Sequence, residues 1–242
     1  MGTKISNLSE IHALVETNTK RDEGILGYAK QFKIGQILHP FRHVKKQGFS
    51  LISVLIAMIL SRFGGLSIYA MQKTGQTNMD GNTIYRLMDN PIIDWRSIVR
   101  LFAHQFMRCV RIHGEDNGKE KCFILDDTDI PKTGKTIEGG SRIYSHVHNR
   151  YIFGFKLLVL CYGDGKSLVP YDFSLHRDSK NKNYGLTAKE QKKQHHTEYP
   201  SDSATCVRYN ELDMEKTVTG LSMIKRAIKH GIHAAYVLMD SW

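Results

Sequence analysis

Asp126 and Asp127 follow a short apolar run, Cys122 to Leu125, and Asp240 follows another, Ala234 to Met239. If the two runs are neighbouring parallel strands, about 4.8 Å apart, carboxylates at their matching ends converge on one spot. Converging carboxylates repel each other unless a cation joins them, and their hard oxygen atoms suit Mg²⁺ or Mn²⁺. A pair of such ions can activate a water or a 3′-hydroxyl and steady the leaving oxygen in an in-line attack on phosphate. Taken singly, an Asp at a strand end is most often a turn or cap residue, and Asp126-Asp127-Thr128-Asp129 reads equally as a solvated turn. The chemistry therefore depends on the elements that carry these residues.

From residue 121 onward the pattern is strand, strand, strand, helix, strand. Tyr151 to Tyr162 is rich in β-formers, and Gly163-Asp164-Gly165 supplies a turn. After the turn, Val169, Tyr171, Phe173 and Leu175 alternate with polar positions and Pro170, which places this arm at a sheet edge. Residues 176–196 hold six Lys or Arg and three His against two acids, which predicts an exposed basic loop reaching to about residue 212. Asp213 is then the expected cap of a helix with Met214, Val218, Leu221, Ile224, Ile228 and Ile232 on one stripe and Gly231 at its end. A right-handed crossover through that helix returns the last strand beside the first, parallel to it.

The preceding part, residues 1–120, reads as helical. The buried-type segment Phe49 to Leu60 ends near Gly64-Gly65, and Asn82 to Met88 forms a short helix closed by Asn90-Pro91. A longer helix from Asp94, its N-cap, to Ile112 turns Trp95, Ile98, Val99, Phe102, Phe106 and Val110 to a core and stops at Gly114. The domains are thus 1–120, all helical, and 121–242, an α/β unit with a mixed sheet, which the family resemblance given below implies is incomplete.

Bulk properties narrow the partner. With 34 Lys and Arg against 24 Asp and Glu, the chain carries a formal net charge of +10, a field that favours nucleic acid over anionic membrane. The greasiest stretch is about a dozen residues, short of a membrane span. Cys109, Cys122, Cys161 and Cys206 stand apart and read as reduced thiols of an intracellular protein. The polar start lacks a secretory h-region, and the loose myristoylation match at Gly2 and Ser6 has no supporting feature. Between the first two strands Lys132, Lys135, Arg142, Arg150 and Lys156 face only Glu138, an arrangement suited to phosphates. In the helical part Thr83-Ile84-Tyr85-Arg86, with Arg96 and Arg100, could approach DNA as a recognition helix does, although surface arginines on a helical core look the same. Gly165-Lys166-Ser167 lacks the earlier glycine of a phosphate loop and reads as a hairpin turn. His195-His196 and Cys206 lack a fourth zinc ligand at regular spacing, and Met71, Met79 and Met88 read as packing or turn residues.

The segments ILDDTDIPKTGKTIEG, YIFGFKLLVLCYGDGKSLVPYDFSLHR and YVLMDSW resemble the DDE transposases of bacterial insertion sequences, in the broad group that includes the IS-four type. The likeness covers roughly residues 121–242. It implies a ribonuclease H-like core, Mg²⁺- or Mn²⁺-dependent strand cleavage and transfer on double-stranded DNA at transposon ends, a homodimer, and a bacterial, cytoplasmic, nucleoid-associated setting. In that family the first catalytic Asp lies in an Asp-x-Thr element, which Asp126-Asp127-Thr128 matches with Asp126 in the catalytic place; a one-residue shift to Asp127 stays open. Asp240 matches the second. The family's third acid, a Glu on a later helix, has no counterpart here. A truncated core with little or no transposition activity alone is therefore expected. Two rival readings remain: a non-catalytic truncated transposase that binds ends and inhibits the intact enzyme, and another ribonuclease H-like nuclease.

Overall fold

The computed structural model describes residues 20–44, 48–63, 67–73, 79–113 and 120–240. The features read at Gly2 and Ser6, the helix stops at Gly64-Gly65 and Gly114, and the Met71 side chain lie outside the described residues. The chain divides into two compact units, Met1–Ile93 and Asp94–Trp242. The long helix that begins at Trp95 thus groups with the sheet, whereas the texture of the sequence groups it with the helices before it.

The first unit contains α1 (Lys20–Gln31), α2 (Ile34–Ile37), α3 (Leu51–Phe63), α4 (Ile68–Lys73) and α5 (Gly81–Met88). Ser50 starts α3 by accepting the Ser53 backbone N–H at 3.2 Å, and Leu51, Val54, Ile56 and Ala57 are buried along it. Asp80 caps α5, accepting from the Asn82 N–H at 3.0 Å. On that helix Ile84 and Leu87 turn inward, as does Met79 just before it, while Tyr85, Arg86 and Met88 are exposed. No helix among the described residues is long and apolar enough to cross a membrane.

The second unit is built from α6 (Trp95–His113), a five-stranded sheet, and three further helices, α7 (Ala188–Gln191), α8 (Ala204–Asn210) and α9 (Lys216–Lys229). Its strands are β1 (Cys122–Pro131), β2 (Ser141–Ser145), β3 (Arg150–Gly163), β4 (Leu168–His176) and β5 (Tyr236–Met239). β3 is the spine: it pairs antiparallel with β1, β2 and β4. β5 lies beside β1 and parallel to it, as the crossover through α9 requires. The mixed sheet of the sequence reading is therefore present, with β2 as a strand it lacked and with β1 running past Leu125 as far as Pro131. Gly154 sits where β1 and β2 both meet β3; a Cβ there would lie 2.1 Å from the Ile130 carbonyl oxygen, so only glycine fits.

Both long helices of this unit bury only part of the stripe that periodicity predicts and add small residues beside it. On α9 the buried residues are Thr219, Gly220, Met223 and Ala227; of the predicted stripe Ile224 packs against the core and Ile232, just past the helix, is buried, while Val218, Leu221 and Ile228 are exposed. Small side chains let the helix approach closely: a Cβ on Gly220 would come 3.0 Å from the Leu125 side chain. On α6, Ala103 and Met107 join the core, Ile98 of the predicted stripe is buried and Phe106 packs against the core, whereas Trp95, Val99, Phe102 and Val110 are only half-buried. Glu215 rather than Asp213 stands at the N-cap of α9, and Asp213 accepts the Arg177 Nε–H at 2.6 Å instead.

A bulge in β4 explains the polar interior. Leu160 pairs with Asp172 and Cys161 with Pro170, so Tyr171 is an extra residue. Beyond it the buried set switches from Val169 and Tyr171 to Asp172, Ser174 and His176, and Phe173 and Leu175 lose the inward places that simple alternation assigns them. Asp172 then meets Arg226 Nε at 2.7 Å and Arg96 Nε at 3.5 Å. Arg96 forks onto Glu211, with 3.0 Å for the Nη1 bond, and also donates to the Phe173 carbonyl at 2.8 Å. Ser174 donates to Glu211 at 2.6 Å.

Burial opposes ionisation of Glu211, but the hydrogen bonds from Arg96 and Ser174 and the charges of Arg96 and Arg226 outweigh it and hold the carboxyl below its ordinary 4.5. A depressed folded-state value means a contribution fully present above about pH 4.5 and lost as pH falls through that lower value. Glu211→Gln should therefore lower the unfolding free energy at pH 7 by about 3 kcal/mol, since it strands buried arginine charge. Urea melts at neutral pH and across the acid limb check both points; the variant's acid limb is expected to be flatter.

Candidate active site

The parallel ladder between β1 and β5 runs from Cys122↔Tyr236 to Leu125↔Met239. The residues that follow this last pair are Asp126, still within β1, and Asp240, just past the end of β5; both are exposed. Asp126 remains inside β1, opposite Val159 of β3, so its backbone is held by the antiparallel ladder even though β5 stops pairing one residue earlier. Its Oδ1 accepts the Asp127 N–H at 2.8 Å.

Strand alternation sends Asp127 to the other face, the face on which Leu125 meets α9. There it is neutralised: Lys216 Nζ, in the first turn of α9, lies 2.7 Å from its Oδ2, and Lys156 Nζ lies 3.9 Å away. Lys156 is closer to Asp129, at 2.6 Å. Burial works against ionisation of Asp129, yet hydrogen bonds from Lys156 and Ser145, with the Lys156 charge, hold its carboxyl below the usual range. The buried His176 ring lies within the field of the same cluster, with Nδ1 donating to the Met214 carbonyl at 3.0 Å. Burial, the largest influence, pushes its pKa down. On the β3 strand Cys161 is a free, half-buried thiol opposite Ile124; burial pushes its pKa up and the charge of Asp126 adds to the shift.

Among the described residues no group of three or more His, Cys, Asp or Glu gathers closely enough to enclose a metal ion. The donor set at the ends of β1 and β5 is two carboxylates, whose hard oxygens fit Mg²⁺ or Mn²⁺ with water completing the shell. His195, His196 and Cys206 form no cluster, and Gly165-Lys166-Ser167 is the expected turn, with Asp164 Oδ1 accepting from the Lys166 and Ser167 N–H groups at 3.0 and 2.7 Å.

The basic residues separate into several environments. Arg96, with 5% of its surface exposed, is a structural cation of the interior, and Arg100 turns to Ser97 and to Asp94 at 3.6 Å. The surface role read for these two from sequence is corrected by burial and pairing. Lys135 and Arg142 both reach Glu190, at 2.7 and 3.5 Å, and Lys156 is committed to Asp129. Lys132 and Arg150 are exposed, as is Arg86 in the other unit. The pairing of Lys216 with Asp127 was missed from sequence. Its signal was present in the topology, because the crossover helix must begin at the sheet end where β1 delivers its acids.

The basic loop is an ordered insert. Thr187 and Glu190 form a capping box on α7, and Glu190 is held down to about 2 by the Lys135 hydrogen bond first and then by the Thr187 N–H. Glu138 accepts from the Thr197 N–H and from the Tyr199 hydroxyl, each at 2.7 Å, and the His195 N–H reaches the Thr136 carbonyl at 2.8 Å. The insert is thus fastened to the β1–β2 connection. Glu190→Ala, which removes both cap and ion pair, should raise hydrogen exchange across residues 187–199 by roughly five- to tenfold, the equivalent of one lost cap, with the sheet amides unchanged.

Comparison with known proteins follows the same lines. No curated protein and no solved structure matches the chain. The family model described as DDE superfamily endonuclease matches residues 41–242, most of the chain. Its match takes in the strands that bear Asp126 and Asp240, and the protein belongs to the DDE superfamily endonucleases.

Proposed function

We propose that this endonuclease-family protein is a transposase of the insertion-sequence type, IS-four-like, with a ribonuclease H-like core that cleaves and transfers double-stranded DNA at transposon ends. The observation that supports the reading is the parallel β1–β5 register, whose last pair, Leu125↔Met239, is followed directly by Asp126 on one segment and Asp240 on the other. These two carboxylates are the proposed holders of Mg²⁺ or Mn²⁺. When bound, such ions supply Lewis-acid stabilisation of phosphate oxygens and a deprotonated nucleophile.

The chain's own groups divide the remaining work. The antiparallel ladder to β3 fixes the Asp126 backbone. Lys216 and Lys156 neutralise Asp127 on the opposite face, which favours Asp126 over Asp127 as the first acid. Lys132 and Arg150 are exposed and suit phosphate contacts; Lys135, Arg142 and Lys156 share their charge with carboxylates and would contribute less. Arg86, exposed on α5, is the proposed DNA contact of the helical unit.

Mn²⁺ titration followed by thermal melting tests the assignment without requiring turnover. Mn²⁺ should raise the melting temperature of the wild type, and Asp126→Asn or Asp240→Asn should each abolish that rise. Asp127→Asn should keep the metal response while lowering the metal-free melting temperature by a few degrees, since it strands Lys216. A full metal response in Asp126→Asn would remove the basis of the proposal. Nicking of transposon-end duplex is the companion assay.

A further inference from the structure

The β2–β3 hairpin carries exposed rings that the catalytic reading does not use, next to the Arg150 proposed above as a phosphate contact. Tyr144 and Tyr151 are register partners across its two strands, with ring centroids 5.3 Å apart in an edge-on arrangement. His146 packs on Tyr144 at 5.1 Å. All three rings sit at the solvent surface, with Tyr144 37% and Tyr151 57% exposed, and Val147 at the tip is 85% exposed. Leaving this much apolar surface in water costs free energy, so a cluster of this kind marks a contact site.

The tip is also stiff and cationic. Asn149 adopts a left-handed conformation, φ 49°, which asparagine tolerates in a turn. Ser145 Oγ accepts the His148 N–H at 3.2 Å and lies 2.9 Å from its Nδ1, closing the turn on itself. The rings are therefore held in place before any partner arrives. From Gly139 to Gly163 the chain contains no Asp or Glu, while Arg150 is exposed beside Tyr151. Asp129, which reaches Ser145 from β1, is neutralised by Lys156 at 2.6 Å.

Exposed rings beside a cation, on a hairpin with no acid of its own, fit a strand of nucleic acid whose bases are unstacked: the rings take base faces and the cation takes a phosphate. An acidic peptide would use the arginine but not two edge-on tyrosines. We infer that the β2–β3 hairpin is a stacking platform for an unpaired base of DNA, with Tyr151 and Tyr144 as the ring contacts and Arg150 as the phosphate contact. Asp126 is opposite Val159, eight residues from Tyr151 on β3, so the platform stands about 25 Å along the strand from the carboxylates. That separation corresponds to about seven base steps, so the base it takes lies away from the reacting phosphate. The inference rests on the proposal that the substrate is DNA.

The test uses the full chain and two probes: a blunt duplex, and the same duplex with a single-stranded tail bearing 2-aminopurine. Wild type should change the tail fluorescence on binding. Tyr144→Ser/Tyr151→Ser should lose that change and about tenfold in affinity for the tailed probe, while its blunt-duplex affinity stays within about twofold. Tyr151→Trp should retain both signals, and an unchanged melting temperature for the double variant reports that it folds. Equal fluorescence change and affinity for the tailed probe in wild type and the double variant would overturn the platform and leave the DNA reading intact. Failure of the wild type to bind either probe would overturn both.

Discussion

One extra residue in an edge strand governs how the second unit is put together. Because Tyr171 bulges out of the β3–β4 ladder, the residues after it change faces, and Asp172, Ser174 and His176 enter the space under the helices. A carboxylate in that position demands cations, and it receives Arg96 from α6 and Arg226 from α9, with Glu211 completing a neutral group of two arginines and two acids. Each helix is thereby fixed in rotation as well as position. The arginine must face the sheet, and this is why the small residues Ala103, Gly220 and Ala227 lie inward while Val218, Leu221 and Ile228 do not. Such a network adds little to stability over an apolar core of the same volume, but breaking it leaves buried charge and costs several kcal/mol.

The same two-residue period sorts the acids of β1. Asp126 and Asp127 are neighbours in sequence, yet a strand sends them to opposite faces, one to solvent and the other to the start of α9. Neutralising Asp127 with Lys216 and Lys156 does two things at once. It anchors the crossover helix to the strand that bears the first acid, and it limits the repulsion among three carboxylates within four residues. The position of α9 and the strand that presents Asp126 are therefore coupled by this ion pair as well as by the close approach of Gly220 to Leu125.

Cations that look equivalent along the sequence have unequal freedom. Glu190 binds Lys135 and lies near Arg142, Glu138 holds Thr197 and Tyr199, and these contacts turn a polar stretch into an ordered insert fastened beside the sheet. What remains for a polyanion is the charge with no carboxylate beside it, and burial removes Arg96 from that set altogether.

Much of this was legible in the sequence, because it depends on properties that are local or topological. Apolar period and turn chemistry located α3, α5, α6, β3, β4 and α9, and the order strand, strand, strand, helix, strand with a right-handed crossover is enough to bring β5 beside β1 and parallel to it. Side-chain direction beyond the bulge was not legible, since a one-residue slip reverses every later position without altering the composition. Nor was the shift of the buried faces of α6 and α9 towards Ala103, Gly220 and Ala227, which follows from where Asp172 and Glu211 need positive charge, or the order of the 177–215 segment, which rests on contacts more than fifty positions away. Sequence alone determined which residues could meet, through strand order and charge type. Tertiary structure decided which of them face each other, because direction in a sheet is set by pairing register and the choice among like charges by distance.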